Sequence, residues 1–184
     1  MIKLSAVIIT FNEEEQLEKC LQSLIDVSDE IVVVDSFSTD NTKTICEKYK
    51  VNFIEQKFLG YKQQKNFAVS QAKYDYILSL DGDEALSEEL KKSINKLKSN
   101  WKFDGYYVNR RNNYCGQWIK HSKWYPNRKL RLFKKGKGEW KGNNPHDTYV
   151  LKNGSKSRKI NGDLLHWVYR DYFEHIQKIN NFSS

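Results

Sequence analysis

Short apolar runs alternate with amphipathic stretches through the first hundred residues. Ala6-Val7-Ile8-Ile9 and Ile31 to Val34 are continuous apolar tetrads, the pattern of strands buried on both faces. Between them Leu17, Cys20, Leu21, Leu24 and Ile25 recur at helical spacing, with Asn12 the expected cap and Glu15 at the third helical position. Asp35 closes the second strand, and Asp40 is expected to cap a helix carrying Ile45 and Tyr49. A short strand near Asn52 to Glu55, a helix around Gln63 to Ala72, a strand from Tyr76 to Leu80 running into Asp81, and a lysine-rich helix from Ser87 to Lys98 complete the series. This alternation predicts an α/β domain: a mostly parallel central sheet, helices on both faces, right-handed crossovers and ligands at the carboxyl ends of the strands.

The rhythm then changes. Residues 105 to 166 read as short strands separated by Asn, Gly, Lys and Trp loops, which predicts an antiparallel or irregular second half. Arg170 to Phe182 is a last helical pattern with Tyr172, Phe173, Ile176 and Ile179 on one side, and it lacks a Gly or Pro stop signal, leaving room for the natural polypeptide to continue past Ser184. With no internal repeat or linker, residues 1–184 are expected to form one domain with two differently built halves, 1–100 and 101–184.

Composition narrows the class. A chain of 184 residues with 39% hydrophobic and 29% charged side chains, 9 Gly and 2 Pro is neither collagen-like nor disordered. No apolar run is long enough to span a bilayer and no signal-peptide core follows Met1, so a cytoplasmic protein is expected. Cys20, Cys46 and Cys115 are odd in number and widely spaced, which suits free buried thiols in a reducing compartment. Residues 1–92 carry 11 basic and 17 acidic side chains, net −6, whereas residues 93–184 carry 20 and 6, net +14. The acidic half suits a metal and polar ligands, and the basic half an anionic partner.

Polar clusters fall where the parallel strands end: Thr10, Asn12 and Glu13; Asp35, Ser36 and Ser38; Asp81, Gly82, Asp83 and Glu84. Turn and cap chemistry explains any one of them, but three at one sheet edge argue for a shared cleft. Unit charges about 4 Å apart repel by ~4 kcal/mol at an effective dielectric near 20, so carboxylates crowded at the end of a buried strand call for a cation. Mg2+ or Mn2+ would serve; the competing explanation is an acidic turn opening the next helix.

The motifs Val7-Ile8-Ile9-Thr10-Phe11-Asn12-Glu13-Glu14, Ile31 to Asp40, Gln64-Lys65-Asn66-Phe67-Ala68 and Leu80-Asp81-Gly82-Asp83-Glu84 resemble a family 2 glycosyltransferase of the GT-A fold. Arg131-Leu132-Phe133, Pro145-His146-Asp147 and Leu165-His166 are similar to its lipopolysaccharide core β-glucosyltransferase branch. The resemblance implies that Thr10, Phe11, Asn12 and Glu13 line a nucleotide pocket and that Asp35 accepts the uracil imide proton. Lys65 approaches the diphosphate or Asp81; Asp81 binds ribose or metal water; Asp83 ligates the metal. It further implies inverting transfer with Asp147 as the general base, where relatives more often carry Glu or a Glu-Asp pair, and His166 completing the metal site. An Asp fixing a turn and a packed structural His are the alternatives.

The basic, aromatic stretch Arg110 to Lys141 would then hold an anionic glycolipid acceptor, with UDP-glucose the expected donor and the acidic inner leaflet a peripheral docking surface. An ordinary solvated face and single-stranded nucleic acid suit the same composition. No nucleic acid is expected, because the acidic cleft would repel it. A sugar nucleotidyltransferase lacks support, since no glycine-rich phosphate loop follows the first strand.

Overall fold

The computed structural model describes residues 1–143, 147–169, 171–173 and 175–176. Strand β1 (Leu4–Thr10) is buried along its whole length, as its apolar sequence requires, and it runs parallel to both neighbours, β2 (Glu30–Asp35) and β4 (Tyr76–Asp81). Outside β2 lies β3 (Asn52–Glu55), also parallel. Beyond β4 the sheet continues through β8 (Asn127–Lys134), β6 (Gly105–Tyr114), β11 (Ser157–Tyr169) and β5 (Glu84–Leu86), with β7 (Gln117–Trp118) paired to β6. A separate antiparallel ribbon joins β9 (Gly138–Lys141) and β10 (Thr148–Leu151).

The second half is largely antiparallel, as expected, and departs from expectation at one pairing. β8 is antiparallel to β4 and β6, but β6 and β11 are long strands that run parallel to each other. Asn109, Asn112 and Asn113 are buried inside β6, and these polar interior positions break the apolar signal by which a strand is recognised. Gly162 bends β11: its φ is +94°, and a Cβ there would lie 2.3 Å from the Leu90 backbone nitrogen.

The sheet is covered on both faces. Helices α1 (Leu17–Leu24), α2 (Thr42–Lys48) and α4 (Glu88–Lys98) pack on the face presenting Leu4, Ala6 and Ile8. Helix α3 (Tyr61–Gln71) and the β9–β10 ribbon cover the other, which presents Val7, Ile9 and Val32. There Phe133 stacks on Tyr149 at 3.6 Å between ring centroids.

Helix starts differ from expectation in an informative way. Asn12 does not cap α1; its φ is +52°, its side-chain oxygen accepts from the Thr39 backbone N–H at 2.8 Å, and the helix begins only at Leu17. Asparagine tolerates this left-handed conformation, which frees residues 11–16 to turn across the strand ends. Asp40 accepts from the backbone N–H of Thr42 and of Glu14, both at 3.0 Å, so it opens α2 and ties the two turns together. Ser87 caps α4 as its position suggests, accepting from Leu90 N–H at 3.2 Å. Cys20 and Cys46 are buried free thiols, while Cys115 is only half-buried; burial pushes Cys46 up to about 12. Of the last helical pattern, Tyr172, Phe173 and Ile176 are exposed instead of packed, and 177–182 lie outside the described residues.

Candidate active site

Parallel pairing aligns the strand ends. Thr10 stands opposite Asp35, and Ile9 opposite Asp81, so the polar clusters after β1, β2 and β4 meet at one edge. Gly82 is needed there: a Cβ would sit 2.8 Å from Thr10 Oγ1 and 3.3 Å from Glu13 Cγ. The resulting cleft holds 630 Å³ and is walled by Thr10, Phe11 and Glu13 from the first turn, Ser36 from the second, and Asp81, Gly82 and Asp83 from the third. Tyr61 and Gln64 enter from α3, and His166 from β11.

Asn12 and Asp35 are placed one step back. Asn12 shapes the turn through its bonds to Ser38 and Thr39. Asp35 is buried beneath Ser36 and accepts from both the backbone N–H and the hydroxyl of Ser38. Its immediate task is thus to hold the Ser36–Ser38 loop, which differs from a carboxylate lying open to a base.

Asp83 and His166 face each other across the cleft, His166 Nε2 standing 3.2 Å from Asp83 Oδ2. On the other side of the ring, His166 Nδ1 lies 2.7 Å from Asn112 Oδ1. With Nδ1 held by Asn112, Nε2 and the Asp83 carboxylate point at a common position, where they can pair directly or ligate a shared cation. Asp83 Oδ1 is also buried without a hydrogen-bond partner. This pair fits a divalent cation. Asp81 does not complete it: among the described residues no group of three His, Cys, Asp or Glu side chains converges as metal ligands.

The reason is that Asp81 already has cations. Lys65 Nζ lies 3.0 Å from Asp81 Oδ1, and Arg131 Nη2 lies 3.1 Å from Asp81 Oδ2. Arg131 also reaches Glu84 Oε1 at 2.6 Å, and Arg110 stands 3.6 Å from the same oxygen. Burial opposes charge on Asp81, but Lys65 and Arg131 outweigh it and hold the carboxyl well below its usual range. Desolvation likewise opposes the Arg131 charge and is overcome by Glu84 and Asp81. The carboxylate crowding inferred from the sequence is therefore relieved largely by the protein's own Lys65 and Arg131.

Lys65 continues the chain of charges. Its Nζ is 2.9 Å from Asp147 Oδ2, and both side chains are only 6% exposed. Asp147 opens onto a second cavity of 920 Å³, bounded by Arg110, Arg128, Lys129, Trp140 and Lys152. Asp81 and Tyr61 line both cavities, so the two meet at the end of β4. Pro145 and His146, which precede Asp147 in its motif, lie outside the described residues.

Residues 5–157 match the family model described as Glycosyl transferase family 2. The chain belongs to that family. A glycosyltransferase of Rickettsia bellii described as uncharacterized is 41% identical over 104 residues, which are 56% of this chain and 35% of that protein. The lipopolysaccharide core biosynthesis glycosyltransferase LpsC of Rhizobium meliloti is 32% identical over 189 residues, covering all of this chain and 70% of LpsC. The chain therefore spans about a third to two thirds of the length of these family 2 relatives. The crystal structure of Staphylococcus aureus TarS 1-349 in complex with UDP superposes with a TM-score of 0.53 at 26% identity, over 67% of this chain and 40% of that one. The sheet order and its helical cover are the expected GT-A fold of family 2 enzymes.

Three contributors to this family 2 site escaped the sequence reading. Glu84 was grouped with the strand-end acids, yet it is fully buried and serves to hold Arg131 and the Asp81 backbone N–H. Arg131 lies in the apolar run Leu130 to Phe133, and a charge inside such a run on a central strand has to be paired. Asn112 gave no separate signal.

Proposed function

We propose that this chain carries the catalytic unit of an inverting, metal-dependent glycosyltransferase, one domain in which residues 1–100 bind the donor and residues 101–184 the acceptor. The observation that carries this reading is the pair of cavities that meet at Asp81, one walled by Asp83 and His166 and the other by Asp147. Thr10, Phe11, Asn12 and Glu13 bound the nucleotide, and Asp35 accepts the uracil imide proton when the Ser38 hydroxyl gives way. Asp83 and His166 are the residues that would hold Mg2+ or Mn2+, with Asp81 beside them toward the ribose or a water of the metal. A cation held there would neutralise the charge that builds on the leaving diphosphate.

Asp147 then removes the proton from the attacking acceptor hydroxyl at a carboxylate oxygen, because it lines the second cavity. Lys65 keeps Asp147 oriented through their 2.9 Å contact. The donor is read as UDP-glucose, in keeping with the UDP complex of TarS, and the acceptor as a lipopolysaccharide core glycan, in keeping with the full-length similarity to LpsC. Work at the cytoplasmic face of the inner membrane follows from that acceptor; no helix among the described residues is long and apolar enough to cross a membrane.

A thermal-shift panel of UDP, GDP, ADP and CMP sugars with and without Mn2+ tests the donor assignment, since stabilisation grows with the logarithm of ligand concentration over Kd. UDP-glucose with Mn2+ is expected to shift the wild type most, and Asp83→Ala to lose the metal-dependent part while unfolding at the same denaturant midpoint. A metal-independent shift in the wild type would overturn the metal assignment.

A further inference from the structure

The second cavity carries more positive charge than its own carboxylates balance. Six cationic side chains, Lys65, Arg110, Arg128, Lys129, Arg131 and Lys152, face Asp81 and Asp147. Lys65 and Arg131 are taken up by Asp81, Asp147 and the buried Glu84, and Arg110 stands 3.6 Å from Glu84. Among the described residues, Arg128, Lys129 and Lys152 form no ion pair with a carboxylate, and of the acids only Glu84 is felt at Lys129. Arg110 Nε and Arg131 Nε and Nη1 are buried donors without a hydrogen-bond partner. Burial, reinforced by Arg110 and Arg131, pushes the Lys129 ammonium below its ordinary value, so the site holds this charge at a cost. Beside it Tyr107 is 36% exposed and gives an aromatic surface on which a sugar ring can lie.

We propose that Arg110, Arg128 and Lys129 form an anion-binding subsite that selects an acceptor sugar bearing a phosphate or carboxylate group. The subsite gives a chemical class to the acceptor and rests for its catalytic meaning, though not for its binding chemistry, on the transferase reading. Arginine forks match the geometry of either oxyanion, and an uncompensated cluster of this kind gains most from a ligand that brings its own negative charge. Tyr107 and Trp140 in the wall favour an anion carried on a sugar ring.

The full chain, saturated with UDP and Mn2+ or free of both, is titrated calorimetrically with glucose 6-phosphate, glucuronate and glucose at matched ionic strength. At least one charged sugar is expected to bind about a hundredfold tighter than glucose, and Arg128→Gln and Lys129→Gln each to remove about tenfold of that preference, the loss expected for one charge-assisted contact. Phosphate and carboxylate sources are told apart by which of the two charged sugars gives the larger gain. Arg128 is exposed, so its variant remains informative should Lys129→Gln fold poorly. Equal binding of all three sugars, or variants indistinguishable from wild type, would overturn the subsite. So would a single-stranded oligonucleotide that binds tighter than either charged sugar and loses its affinity in the same variants. UDP titrated into the same proteins separates the two proposals: UDP binding without charged-sugar preference sinks the subsite alone, and charged-sugar preference without UDP binding sinks the donor reading alone.

Discussion

The two cavities share a wall and differ in nearly everything else. The cleft at the strand ends is built from short polar side chains, backbone turns and the Asp83–His166 pair. Its neighbour is built from long cationic side chains on β6 and β8 and from the β9–β10 ribbon. The first owes its shape to backbone register, which brings Thr10, Asp35 and Asp81 to one edge whatever their partners do. The second owes its character to side chains reaching inward from antiparallel pairings. The lesson is that the charge asymmetry along the sequence is folded into two adjoining compartments of opposite chemistry, with Asp81 as the partition.

Substitutions can break that contrast, and the largest effect is expected at Asp147. Asp147→Asn should cost ~10²–10⁴-fold in turnover, the range of a lost general base, while UDP affinity stays within about twofold. Equal losses of both would show that the cavities do not act separately. Arg131→Met should lower stability by ~3–5 kcal/mol in urea denaturation, because it leaves Asp81 and Glu84 as buried charges with too few partners. Adding Glu84→Leu to it should recover part of that loss; no recovery would mean that Arg131 acts mainly through its packing on Trp140. Gly82→Ala should cost ~1–3 kcal/mol and weaken UDP binding without touching charged-sugar binding, since its methyl group would press on Thr10 and Glu13 in the donor cleft alone.

The smallest effect concerns an ion pair remote from both cavities. Asp29 is partly desolvated, yet bonds to Lys98, the Leu4 N–H and Lys3 bring its carboxyl down to about 2 from 3.8. A carboxyl lowered on folding stabilises the native state above its unfolded value, and that contribution fades as pH falls through the folded value. Urea midpoints of wild type and Asp29→Asn should therefore differ at neutral pH and converge between about pH 4 and pH 2. A constant difference across that range would assign the effect to packing.

Much of the donor side was legible in residue pattern. The apolar tetrads of β1 and β2, the run into Asp81 and the Ser87 cap all follow from local preferences that tertiary structure reinforces. What pattern could not carry was long-range: the parallel union of β6 with β11, separated by some fifty residues, depends on β8 lying between β4 and β6. Asn12 was misread because one residue type serves both caps and left-handed turns, and only the Thr39 N–H decides between them. The crowding of the strand-end acids called for positive charge, but nothing local to Asp81 revealed that Lys65 and Arg131, from 16 residues before and 50 residues after, supply it there.

Lys65 holds two acids with one ammonium, at 3.0 Å and 2.9 Å. A single ammonium on an eleven-residue helix, shared by two carboxylates, ties their energetics together: loosening either contact re-weights the other, so stability losses at Asp81 and Asp147 will not sum.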